Sequence, residues 1–164
     1  MTDETAAGAA ADAPRFHIVH QYIKDLSFEV PGAPQSFEGT AAPDVAVNVD
    51  VSVNPLGEPR YEVVLRMDAR ATASGTPLFI IELVYAGLLE VSGLPQDQLQ
   101  PALLIEGPRL LFPFARNIVA GLTRDGGLPP LMISPIDFVA LYRNRVAKQQ
   151  EQTGGAGEDG NGAS

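Results

Sequence analysis

The order of hydrophobic periodicities along this chain predicts an α+β fold, with strands first and two helices last. Three observations carry that prediction. Period-two alternation recurs through residues 16–91. Short turn-forming segments separate most of the alternating runs, which favours antiparallel neighbours. After residue 107 the apolar spacing changes to three and four, as on one side of a helix.

The first run sets Phe16, Ile18, His20 and Tyr22 against His17, Val19, Gln21 and Ile23, so both faces are partly apolar. Ser27 to Val30 continues it after a kink near Asp25. Pro31, Gly32 and Pro34 end it, and a loop over 31–43 carries Phe37. Val45, Val47, Val49, Val51 and Val53 then alternate with Ala46, Asn48, Asp50, Ser52 and Asn54, one face for core and one for water. Beyond a turn over 54–59, Tyr61, Val63, Leu65 and Met67 alternate with Glu62, Val64, Arg66 and Asp68. A turn at Ser74-Gly75-Thr76-Pro77 leads to a fourth strand over 78–91. There Leu78, Ile80 and Val84 mark one face, and Phe79, Ile81, Leu83 and Tyr85 mark the other. A strand apolar on both faces needs cover on both, which predicts a second subunit.

The first helix carries Leu111, Phe114, Ala115, Ile118, Val119 and Leu122. Pro113 places its regular start there or makes its first turn irregular. Asp125-Gly126-Gly127 ends it, with glycine suited to a left-handed cap. For the last helix, Ser134 is the expected N-cap, with Pro135 in the first turn and Asp137 three residues on. Phe138, Leu141, Tyr142 and Arg145 form its stripe, and Arg143, Arg145 and Lys148 complement the dipole at its end. The folded domain is expected over 15–149. The flanking segments 1–14 and 150–164 are rich in Ala, Gly and acids, bury too little apolar surface to order, and are expected to be tails.

Composition narrows the function. A length of 164 residues with 45% hydrophobic residues suits one globular domain. The lack of cysteine rules out disulfides and thiolate metal sites, and it fits the cytoplasm. No basic start precedes an apolar run, so no signal peptide is expected. The longest apolar stretch is interrupted by Glu82 and is too short to cross a bilayer, so no stable membrane insertion is expected. A net charge of −9 argues against nucleic acid as a partner. Residues 16–106 hold twelve acids and four bases, whereas 107–150 hold two acids and six bases. That asymmetry suits either a solvated surface or an acidic docking face for a basic partner.

Catalytic chemistry is missing from the pattern. His17 and His20 are the only histidines, and on a regular strand their spacing points them to opposite faces, so no metal site is expected. No serine has the G-x-S-x-G elbow, and Gly126-Gly127 fits no phosphate-binding loop. Asp25 and Glu29 form an acid pair without a supporting histidine. Neither an enzyme nor a cofactor is expected. Apolar surface without chemistry suits a binding protein.

Four segments stand in order along the chain, YIKDLSFEVPGAP at 22–34, YEVVLR at 61–66, LFPFAR at 111–116 and GLPPLMISPIDF at 127–138. Together they resemble the SecB family of export chaperones. The resemblance implies a four-stranded antiparallel sheet with two C-terminal helices packed on one side, assembled as a homotetramer, a dimer of dimers. It implies an ATP-independent chaperone that holds unfolded secretory precursors and delivers them to the SecA motor. Acids on the sheet would meet the basic, zinc-bearing tail of SecA. The matching positions here are Asp25, Glu29 and Glu82, with Ile80 as an apolar neighbour. The client groove would be lined from the helices and the first loop, with Phe37, Phe138, Leu141 and Tyr142 as candidates. Glu38 to Ala42 lacks an aromatic residue found in some relatives, and Val84-Tyr85-Ala86 is more apolar than usual there. Competing readings are a SecB-like chaperone of a toxin–antitoxin pair, a small ligand-binding protein and a purely structural oligomer.

Overall fold

A computed structural model describes residues 13–155. The segments expected as tails lie largely outside the described residues. Strands β1 (Arg15–Glu29), β2 (Asp44–Pro55), β3 (Arg60–Ala73) and β4 (Thr76–Ser92) form one antiparallel sheet in the order β1-β4-β3-β2. Helices α1 (Gln96–Asp125) and α2 (Phe138–Gly154) follow. The order of elements is the one the sequence predicts.

Turn chemistry closes the two hairpins of this sheet. Ser74 and Gly75 both adopt positive φ, 51° and 79°. This pair of left-handed residues matches the twist of two strands joined by a two-residue loop. Between β2 and β3, Gly57 takes φ 91°, and Leu56 N–H donates to Arg60 O at 3.0 Å. The loop between β1 and β2 must instead cross from one sheet edge to the other, and it contains a single 3-10 turn, Gln35–Phe37.

Alternation sorts the strand residues onto two faces. Val51 of β2, Val63 and Leu65 of β3, and Ile81, Leu83 and Leu89 of β4 face the helices. They pack with Leu103, Leu111, Ala115 and Val119 of α1 and with Phe138 of α2. α1 lies over β3 and β4 and reaches β2. Gly87 lets it sit down on the sheet, since a Cβ built there would lie 2.8 Å from Leu111 Cδ2. Neither described helix lies on the opposite face.

Three local expectations are corrected. First, α1 begins at Gln96 and contains Pro101, Pro108 and Pro113, rather than starting near Pro113. Each proline removes one helical hydrogen bond, but Leu103, Gly107, Pro108, Leu111 and Phe112 are all buried. Packing of that face overrides propensity. The C-terminus does end as read, with Gly127 at φ 82° and Gly126 N–H donating to Leu122 O at 2.8 Å.

Second, the N-cap of α2 is Asp137, whose Oδ1 accepts from Ala140 N–H at 3.0 Å. Ser134 lies in an extended linker instead. That path packs Ile133 and Ile136 on the core, which a helix starting at Pro135 would rearrange. Buried Thr123 fixes the linker, its Oγ1 accepting from Leu131 N–H at 2.8 Å. α2 then runs past residue 149, the expected domain end, to Gly154.

Third, His17 and His20 share one face. The β1–β4 register shifts between Ile18 and His20, so His17 lies opposite Glu90 and His20 opposite Leu88. Extra residues in β1 are β-bulges, and each one flips the alternation that follows it.

Candidate functional site

The sheet face away from the helices brings the sequence-selected acids together. A second register shift in β1, between Ile23 and Asp25, leaves Lys24 as the extra residue. Downstream of it, Asp25 pairs with Val84, Ser27 with Glu82, and Glu29 with Ile80. Without the bulge, Asp25 and Glu29 would point to the helix side, and Leu26 and Phe28 would point away from it. With it, Leu26 and Phe28 pack against the core, while Asp25, Glu29 and Glu82 stand exposed around half-buried Ile80. On β3, Asp68 lies directly opposite Glu82, flanked on the same face by exposed Arg66 and Arg70, which lie opposite Val84 and Ile80.

Beside this row is a polar cluster that period-two reading did not single out. Glu62 lies on the same outer face, and its side chain is only 9% exposed. Its carboxylate accepts from Lys24 Nζ at 2.8 and 3.0 Å, from Tyr22 Oη at 2.6 Å and from Asn54 Nδ2 at 2.8 Å. Tyr22 and Lys24 come from β1 and reach across β4 to β3. They can do so because Ala86, paired with both Tyr22 and Val64, presents only a methyl group. The hydrogen bonds from Lys24, Tyr22 and Asn54 hold the Glu62 carboxyl at about 2, against the opposing effect of burial. Burial and the bond to Glu62 push the Tyr22 hydroxyl up to about 12. The signal for this cluster was an acid set within the apolar run Tyr61, Val63, Val64, Leu65.

This cluster also bears on the apolar outer face of β4. Val64, Val84 and Ala86 are buried within the single chain, as a small cluster of their own. Side chains of the same sheet therefore supply cover that the sequence assigned to a second subunit.

The four groove candidates separate. Phe138 is 1% exposed and meets Phe112 edge to face at 6.0 Å, so it is core and not groove. Its place at the first turn of α2, against Phe112 of α1, is what buries it. Leu141 and Tyr142, further along α2, line an open recess of about 440 Å³ with Val49, Val51 and Leu104. Arg145, Lys148 and Gln149 form its polar rim. The Arg145 guanidinium donates to Val51 O on the exposed edge of β2, tying the recess together. Phe37 is 48% exposed and lies elsewhere, against the turn at Gly127.

Among the described residues, no group of three or more His, Asp or Glu side chains is placed to hold a metal ion. No described helix is long and apolar enough to cross a membrane. The geometry offers a face with exposed acids and a recess with apolar walls and a polar rim.

Comparison with known proteins agrees with this geometry. The family model described as preprotein translocase subunit SecB matches residues 9–149. The protein-export protein SecB of Paramagnetospirillum magneticum is 53% identical over 158 residues, covering 95% of this chain and all of its own length. That of Rhodospirillum rubrum is 54% identical over 153 residues, covering 93% of this chain and 94% of its own. Among solved structures, a SecB-like chaperone of Mycobacterium tuberculosis, in complex with an antitoxin peptide, superposes with a TM-score of 0.58. It is 20% identical and the match covers 74% of this chain and 91% of that one, a likeness of fold. This chain belongs to the SecB family of protein-export chaperones.

Proposed function

We propose that this chain works in the cytoplasm as an ATP-independent holdase, a dimer of dimers that binds unfolded secretory precursors and passes them to SecA. The observation that carries this reading is the acidic row on the bare sheet face, Asp25, Glu29 and Glu82 around Ile80. It faces away from the recess at α2, so a client and a motor could be held at once. Multiply basic partners gain association rate and specificity from such a row.

Client capture rests on different physics. An unfolded precursor exposes apolar segments, and burying them gives about 25 cal/mol per Å². The recess beside Leu141 and Tyr142 offers one such contact per chain. Four copies would add their contacts through effective concentration. Binding only the unfolded form delays folding by mass action, with no need for nucleotide.

The test joins both surfaces. Binding of a reduced, unfolded precursor and of the zinc-loaded C-terminal segment of SecA would be measured on the wild type and on Asp25→Lys and Glu82→Lys. The expected result is capture of the unfolded precursor alone, without nucleotide. The two reversals should weaken the SecA segment at least tenfold at low salt and leave the precursor unaffected. Equal binding of folded and unfolded precursor would remove the holdase reading. Unchanged affinity for the SecA segment would remove the docking reading.

A further inference from the structure

Lys24 presents a difficulty for the acidic row. It is the only lysine or arginine in β1 beyond Arg15, and it adjoins Asp25 in sequence. A free ammonium at this position would oppose a basic partner arriving at Asp25 and Glu29. Its side chain is half exposed, yet its Nζ turns to one group, bridging both oxygens of Glu62 at 2.8 and 3.0 Å. Glu62 is two strands away and nearly buried. Tyr22 and Asn54 fix the same carboxylate from either side. Such a carboxylate is oriented before Lys24 arrives, so little entropy is lost in pairing.

We propose that Glu62 is a positioning residue that sequesters the Lys24 cation, holding it away from Asp25, Glu29 and Glu82 so that the β1 side of the row meets a basic peptide with acids alone, while the exposed bases of this face, Arg66 and Arg70, stay on the β3 side. This rests on the docking reading above and adds to it a residue that touches no partner. The bulge places the lysine where the tie is possible. Ala86 keeps the path over β4 clear. The charge of Lys24 is thereby spent inside the sheet surface, and Asp25 remains free, with only a local bond from Leu26 N–H.

The experiment measures binding of the zinc-loaded SecA segment at low salt to three variants. Glu62→Gln releases Lys24 and should weaken binding about fivefold. Adding Lys24→Gln to it removes the released charge and should restore wild-type affinity. Lys24→Gln alone leaves one more negative charge on the face and should bind at least as tightly as wild type. Unchanged affinity in Glu62→Gln overturns the proposal. So does a double variant that stays weak, because a purely structural cluster would not be rescued by a second polar substitution. Should Glu62→Gln fail to fold, a several-fold loss in Lys24→Gln alone overturns it equally. Asp25→Lys serves as the reference: if it too leaves binding unchanged, the docking reading has failed, and not merely the role of Glu62.

Discussion

Glu62 stands where simple alternation would put a solvated strand residue, and instead it is the most heavily bonded side chain among those described. Its folded-state carboxyl lies at about 2 against an ordinary 4.5. A depressed carboxyl contributes stability that is present above the ordinary value and is lost as pH falls from 4.5 toward 2. Tyr22 has the opposite sign. Its hydroxyl is raised from 10.0 to about 12, so its contribution is present below pH 10 and is lost as pH rises through that window. Urea midpoints followed against pH should therefore fall at both ends, and Glu62→Gln should flatten the acid limb. Parallel acid limbs in wild type and variant would mean that the cluster does not couple to folding. Residue roles were only partly legible in the sequence. Asp25, Glu29, Ile80 and Glu82 were selected by resemblance alone, and the face they share depends on a bulge that no alternation could locate, because both faces of β1 are partly apolar. Phe138 was misread as groove because an aromatic at the start of an amphipathic helix looks the same whether it caps a core or rims a cleft.

At the scale of elements, period two located all four strands, and the spacing of three and four located both helices. What escaped was where helices begin. Three prolines hid the first half of α1, since its stability comes from a face buried on β3 and β4 rather than from propensity. At α2 two residues competed for the cap. Ser134 had the better local pattern, but tertiary packing of Ile133 and Ile136 holds the linker extended to Asp137. Removing Asp137 Oδ1 leaves the Ala140 N–H without its side-chain acceptor. Asp137→Ala should accordingly cost about 1 kcal/mol in chemical denaturation, and Ser134→Ala should cost close to nothing. The reverse ranking would place the start of α2 three residues earlier. The same cap matters for function, because α2 carries Leu141, Tyr142 and Arg145 to the recess.

At the scale of the whole molecule, the argument for several subunits moves from β4 to α1. On the outer face of β4, Val84 and Ala86 are already buried within the chain beside the Tyr22–Lys24–Glu62 cluster, so that stretch no longer demands a partner. The long helix is a better candidate. Leu110 and Phe114 are 44% and 51% exposed, and at a spacing of four they lie one above the other on the same side of α1. Half-buried Ile118 continues the line by one more turn. A proposed dimer of dimers needs an apolar surface outside the core, and this stripe is one that costs the monomer little to change. Leu110→Asp combined with Phe114→Asp should keep the far-ultraviolet spectrum and lower the native mass from tetramer to dimer at micromolar concentration, measured by light scattering. Client affinity should fall with it, since halving the number of recesses lowers effective concentration without touching any single contact. A variant that keeps the tetramer mass would place the interface elsewhere on the chain. A variant that becomes a dimer yet binds an unfolded precursor as tightly as before would show that one pair of recesses suffices, and that the tetramer serves the motor rather than the client.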